Sequence, residues 1–213
     1  MSPLDILFED EVILVVNKPN GLMVEPDRNG HPNLLNEVKK HIKANQSADE
    51  EVYAQHIHRL DRPVSGIILF AKKKRVLKNL SEQFAERRVK KYYQALTENA
   101  PEKKIGLLEH WHRKEKKKAV LYDTEIEYAE KAQLKYEVVE HGKLFLWNIE
   151  LHTGKYHQIR AQSSSLGCPI IGDALYGSTL SYQENAIALH ACKLVFTHPI
   201  TNQEMSIISH KDF

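Results

Sequence analysis

Beyond Tyr53 the chain breaks an extended segment with the charged, turn-rich insert His58-Arg59-Leu60-Asp61-Arg62-Pro63. It then runs into Val64-Ser65-Gly66-Ile67-Ile68-Leu69-Phe70-Ala71. A half-exposed strand alternates apolar and polar residues, whereas an unbroken apolar run such as Ile67 to Ala71 belongs to a buried strand. The turn therefore presents one carboxylate, Asp61, at the lip of a buried strand, a rigid support for a reacting group. Arg59 and Arg62 flank it in sequence, and a guanidinium within ~4–6 Å favours the ionised carboxylate. An ionised Asp is a poor general acid but suits nucleophilic attack or stabilisation of a developing cation. Pro63 fixes its own φ and restricts Arg62, while Gly66 permits unusual backbone angles or close approach of a ligand. The same residues also read as a surface Arg-Asp-Arg cluster, which is common and contributes little stability.

Periodicity organises the rest of the chain. Strands are expected over Ile6–Phe8 and Val12–Asn17, around the acidic turn Glu9-Asp10-Glu11, followed by a turn at Lys18-Pro19-Asn20-Gly21. Leu34, Leu35 and Val38 stripe a helix from Asn33 to His41, and the polar stretch Lys43–Glu51 reads as a surface loop. Leu77, Leu80, Phe84 and Arg88 recur at helical spacing, which predicts a helix over Lys74–Arg87 and then a strand over Val89–Leu96. A strand series follows at Thr124–Tyr128, Ala132–Val139 and Leu144–Leu151, the last two joined at His141-Gly142. A helix is expected over Tyr156–Leu166, with Thr153 as N-cap and Gly167 as its stop. Ile187–Phe196 and Glu204–Ile208 close the chain as strands. Hairpins with a few helices predict an α+β fold with a mixed, largely antiparallel sheet. No repeat or low-complexity linker divides the sequence, so one domain over residues 1–213 is expected.

Composition excludes several classes. With 42% apolar and 27% charged residues the chain has the makings of a globular core, and no apolar run approaches the ~20 residues of a membrane span. The N-terminus shows no basic segment leading into an apolar core, so a cytoplasmic protein with Cys168 and Cys192 as reduced thiols is expected. A net charge of only +2 rules out a uniformly basic binder. The positive charge is instead clustered, at Lys72–Arg75, Arg87–Lys91 and His112–Lys118. Local basic patches neutralise phosphates even when total charge is small, so these runs are compatible with a nucleic-acid-facing groove as well as with solvated faces. His56-x-His58 and His110-x-His112 each put two imidazoles on one strand face, but no Cys or Glu completes a recognisable zinc site. There is no Gly-Lys-Ser/Thr loop and no Gly-x-Gly-x-x-Gly, so neither a metal nor a nucleotide cofactor is expected.

His58-Arg59-Leu60-Asp61, two further residues, a β-branched position and Ser65-Gly66 resemble the signature of the RluA-type RNA pseudouridine synthases. Further segments match the same family in the same order. They are Val16-Asn17-Lys18-Pro19-Asn20-Gly21-Leu22, Lys91-Tyr92-Tyr93-Gln94-Ala95, Thr153-Gly154-Lys155-Tyr156-His157-Gln158-Ile159-Arg160, Gly167-Cys168-Pro169-Ile170-Ile171-Gly172-Asp173 with Tyr176-Gly177, and Leu189-His190-Ala191. Together they span nearly the whole chain. Val64 stands where the family has Thr, keeping the branched shape without the hydroxyl. Lys155 replaces an Arg, a change that matters wherever a bidentate fork is required.

The resemblance implies a pseudouridine synthase-like catalytic domain with a central cleft, and no separate N-terminal RNA-binding domain, for which there is no room before Ile6. It implies Asp61 as the catalytic carboxylate, acting on the ribose of a flipped-out uridine in transfer RNA, 23S ribosomal RNA or both. Tyr93 would stack on uracil, Arg160 would pair with the catalytic Asp, and Arg59 would hold or replace the displaced nucleotide. Arg62, Lys91, Lys155 and His157 complete the expected RNA-binding set. On the residues themselves, Lys91, Tyr93 and Ala95 share one strand face, and His157, Arg160 and Ser164 share one helix face, with Tyr156, Ile159 and Leu166 turned towards the core. Isomerisation adds no group and oxidises nothing, so no cofactor is required, and a monomer is expected. Two other readings compete: an inactive RNA-binding module on the same fold, and a hydrolase that releases free uracil. Tritium release from carbon 5 of uridine separates them.

Overall fold

A computed structural model describes residues 3–47 and 51–213. The loop expected over Lys43–Glu51 includes 48–50, which lie outside the described residues. The elements in chain order are β1 (Ile6–Glu9), β2 (Ile13–Lys18), α1 (Leu34–Ala44), β3 (Gln55–His56), β4 (Ser65–Ala71), α2 (Lys74–Ala85) and β5 (Lys90–Thr97). They continue with β6 (Ile105–Glu115), β7 (Lys118–Tyr122), β8 (Glu130–His141), β9 (Leu144–Leu151), α3 (Gln158–Ser165), a 3-10 turn at Ala174–Tyr176, β10 (Leu189–Thr197) and β11 (Glu204–Ile208). The architecture is α+β, as the periodicity predicted. By its contacts the chain forms two compact units. The first comprises residues up to Val89 with Cys192–His210, and the second comprises Lys90–Ala191 with Lys211–Phe213.

In the first unit β1 and β2 form an antiparallel hairpin around Asp10, whose Oδ1 accepts the Val12 and Ile13 N–H groups at 2.8 Å each. β4 is buried at every position and pairs antiparallel with both β2 and β3. Its continuous apolar run thus serves a strand covered on both faces. Asn33 caps α1 by accepting the Asn36 N–H at 3.0 Å, and the helix buries Leu34, Leu35, Val38 and Ile42. Ile13, Val15, Ile67, Leu69, Leu80, Leu194 and Phe196 meet in one core, each contributing about 1.5–3 kcal/mol on burial. That core is the rigid base on which the turn before β4 stands.

The second unit is a meander in which β5, β9, β8, β6 and β7 neighbour one another antiparallel in that order. Tyr93, Ile149, Tyr136, Leu134 and Trp147 fall on one buried face, with Tyr93 opposite Ile149. α3 is tied to this sheet by Gln162, fully buried, whose amide reaches the His110 ring at 3.0 Å and the carbonyls of Ala132 and Leu108 at 3.3 and 3.4 Å. The helix starts at Gln158, not Tyr156, and its N-cap is His157 in the left-handed region, φ 52°. Thr153 does not cap it. Its hydroxyl instead accepts the Gln133 N–H at 2.8 Å and donates to Gln158 Oε1 at 2.6 Å. Leu166 is 36% exposed rather than core-facing, because the helix has ended before it. The segment Thr124–Tyr128 is a turn, not a strand, and the long hairpin β6–β7 is an addition to the sequence prediction.

Candidate catalytic site

Asp61 sits half-buried in the turn between β3 and β4, where its carbonyl accepts the Val64 N–H at 3.0 Å. The turn is locked to the loop after β2 from both sides. The Gly21 N–H donates to the Arg62 carbonyl at 2.9 Å, and Arg62 Nε donates back to the Gly21 carbonyl at 2.9 Å. Beneath it lies Lys18, with no exposed surface, its ammonium donating to the carbonyls of Leu22 at 2.8 Å, Pro19 at 2.9 Å and Arg62 at 3.2 Å. Burial pushes the Lys18 ammonium down to about 7, against the opposing pull of the Asp61 charge. This lysine is the site residue that charge-reading by adjacency passes over, although it stands in the Asn-Lys-Pro segment. Opposite Lys18 across the ladder is Gly66, at φ 120°, a backbone angle that a side chain would strain.

The two arginines beside Asp61 in sequence turn to other partners. Arg59 Nη1 donates to Glu25 Oε1 at 2.7 Å while 64% of its side chain remains exposed. His56 lies 3.5 Å from the same carboxylate, and burial lowers its pKa while Glu25 opposes this. His58 stacks on Phe84 at 4.9 Å and its Nε2 accepts the Leu69 N–H at 3.3 Å. His112 bonds the Tyr156 carbonyl at 2.7 Å and His110 meets Gln162, so all four imidazoles of the two His-x-His pairs have structural partners. Among the described residues no group of three or more His, Cys, Asp or Glu side chains is gathered for a metal.

In the second unit Tyr93 is 8% exposed, and Lys91 on the same face of β5 donates to the Thr153 carbonyl at 3.0 Å. That ammonium lies 3.3 Å from where a Cβ on Gly154 would stand, so the glycine of the Thr-Gly pair gives the lysine its room. Lys155, the departure from Arg, pairs with Glu130. His157 stacks on Tyr156 at 3.8 Å, and its Nδ1 meets the Tyr176 hydroxyl at 3.1 Å. A non-glycine residue in the left-handed region costs roughly 1–2 kcal/mol. Here the strain sits among the aromatic rings of the motif. Arg160 is 5% exposed and grips Asp173, 2% exposed, through Nε to Oδ2 at 2.6 Å and Nη2 to Oδ1 at 2.9 Å. The unit thus holds an aromatic, a buried guanidinium and an exposed cationic hairpin together.

A family model described as RNA pseudouridylate synthase matches residues 12–165, most of the chain, including Asp61, Tyr93 and Arg160. This chain belongs to that family. The pseudouridine synthase is of the RluA type: it is 36% identical over 219 residues to the dual-specificity RNA pseudouridine synthase RluA of Escherichia coli (strain K12). That match covers 98% of this chain and 93% of the relative. An uncharacterized RNA pseudouridine synthase of Bacillus subtilis (strain 168), YhcT, is 34% identical over 211 residues, and the present chain spans 66% of its length. Among solved structures, human RNA pseudouridylate synthase domain containing 4 superposes with a TM-score of 0.79 at 25% identity, covering 97% of this chain and 88% of that one. Human RNA pseudouridylate synthase domain containing 1, at 22% identity and a TM-score of 0.80, shares the fold.

Proposed function

We propose that this pseudouridine synthase isomerises one or more uridines of structured RNA, in transfer RNA, 23S ribosomal RNA or both, with Asp61 as its catalytic carboxylate. The observation that carries the assignment is the setting of Asp61. The carboxylate is half-buried on a turn clamped by Lys18, and that buried ammonium supplies an opposite charge fixed by three carbonyls. A carboxylate carried on so firmly held a turn stays aimed without reorganisation, which is what attack at a sugar carbon demands. The target uridine leaves its stack first, at a cost of a few kcal/mol, least in a loop.

In the reaction the bond from ribose C1′ to uracil N1 breaks, the base turns, and C1′ bonds to C5. The C5 proton is lost and N1 takes up a proton, so atoms balance with no co-reactant. Asp61 either bonds to C1′ or assists departure of uracil as the sugar loses a proton. The first route resembles the nucleophile of a retaining glycosidase. Tyr93 lies against the uracil and Arg160 acts as the cation of the reacting group. Arg59, Arg62, Lys91, Lys155 and His157 contact the RNA. We place the enzyme in the cytoplasm as a monomer.

Replacing Asp61 with Asn tests the assignment. Tritium release from C5-labelled RNA is expected to fall more than ~10³-fold while RNA affinity is retained. Isomerisation at the normal rate in Asp61→Asn would remove the carboxylate from the mechanism. Release of free uracil by the wild-type protein would point instead to hydrolysis.

A further inference from the structure

The buried pair of Arg160 and Asp173 belongs to a larger unit that the RNA-modifying reading does not use. Asp173 opens the 3-10 turn Ala174–Tyr176, and its carbonyl accepts the N–H groups of Tyr176 at 3.0 Å and Ser178 at 3.1 Å. The backbone of Asp173 is therefore fixed by the turn, and its carboxylate takes two nitrogens of the Arg160 fork. Tyr176, three residues on, lays its ring 5.1 Å from the Arg160 guanidinium carbon, and its carbonyl accepts the Ser164 hydroxyl at 2.7 Å. Its own hydroxyl accepts the Ala119 N–H of β7 at 2.7 Å and meets His157 Nδ1 at 3.1 Å. Ala119 directly follows Lys116-Lys117-Lys118, the exposed cationic tip of the β6–β7 hairpin. One phenol thus joins the basic hairpin, the strained N-cap of α3 and the face of the guanidinium.

We propose that Asp173 and Tyr176 are positioning residues for Arg160, and that the Tyr176 hydroxyl ties the guanidinium to the basic hairpin. The inference rests on Arg160 serving the isomerisation. A lone arginine on the first turn of a helix has four rotatable bonds, and a fork held on two nitrogens and one face has almost none of that freedom. Asp173 acts through the guanidinium alone, so its removal lowers the rate of the chemical step and leaves RNA affinity in place, whereas the Tyr176 hydroxyl also holds the hairpin and His157.

Single-turnover rates and RNA binding are measured for Asp173→Asn and Tyr176→Phe, each in the wild-type and the Arg160→Lys background. Asp173→Asn is expected to slow the chemical step about 100-fold, as for a misplaced catalytic group. Tyr176→Phe, which keeps the ring and removes only the hydroxyl, is expected to slow it about tenfold, the size of one lost hydrogen bond. Asp173→Asn should leave RNA affinity unchanged, and the Tyr176→Phe effect is read on the chemical step at saturating RNA. In the Arg160→Lys background both changes should become nearly silent, because the group they position is gone. Losses that add in full in that background mean a general folding effect and overturn the proposal, as do normal rates in both single variants of a protein impaired by Arg160→Lys. A fully active Arg160→Lys protein would instead overturn the role of Arg160 itself, and the positioning proposal with it. If Asp173→Asn fails to fold by thermal melting, Tyr176→Phe in the two backgrounds decides.

Discussion

Lys18 has no contact with water, and three backbone carbonyls stand in for its hydration shell. Its folded pKa of about 7 lies below the ordinary value of 10.5, so between these limits the unfolded chain binds more protons than the folded one. Stability from this group is therefore fully present above about 10.5 and is lost as pH falls through about 7. Chemical denaturation between pH 7 and 10 should show wild type gaining stability relative to Lys18→Met, in which the slope from this residue is absent. In Asp61→Asn the lower edge of this window should move to lower pH while its upper edge stays, because the charge that raises the folded Lys18 pKa has been removed. An unchanged slope in Lys18→Met would mean the ammonium keeps its ordinary affinity for a proton. Of this pair only the carboxylate is conspicuous in the sequence. The lysine looks like any strand-end residue until the strand register brings it under the turn.

Element by element, legibility followed the kind of side chain that faces inwards. β4, α1 and α2 bury aliphatic stripes and fall close to their expected bounds. The β6–β7 hairpin hides its alternation because its inner positions include His112, buried, and His110, half-buried, in place of aliphatics. Those imidazoles are satisfied by the Tyr156 carbonyl and by Gln162, partners the local sequence does not reveal. The reverse error occurs at Thr124–Tyr128, where Ile126 and Tyr128 alternate like a strand, yet Tyr128 is 83% exposed at φ 61°. Gly172, in the segment leading to Asp173, is the element-level test. Its φ is 86°, and a Cβ would stand 2.8 Å from the Ala186 carbonyl oxygen. Gly172→Ala should cost about 1–3 kcal/mol in urea unfolding. A loss within a few tenths would show that the segment yields without strain.

At the scale of the whole molecule the net charge of +2 conceals an uneven surface. Part of the clustered positive charge is answered internally: Lys72 by Glu9, Arg88 by Glu86 and Arg113 by Glu115. Lys116, Lys117 and Lys118 remain exposed on the hairpin. Changing all three to Ala should weaken RNA binding and flatten the log–log salt slope by about 2, since each phosphate contact on single-stranded RNA contributes about 0.7. An unaltered slope would move the electrostatic footprint to another face. The linear order of residues by itself determined the family, the buried strand with a carboxylate at its lip, and the helices whose stripes are aliphatic, because these depend on local composition and periodicity. Which cation acts on Asp61, and what grips Arg160, only the tertiary structure decided. Arg59 and Arg62 stand beside Asp61 in the chain but reach Glu25 and Gly21, while distant Lys18 is drawn beneath it. Charged partners are chosen by burial and register: a side chain stripped of water must take whatever polar group the packed backbone brings within reach, however far away it lies along the chain.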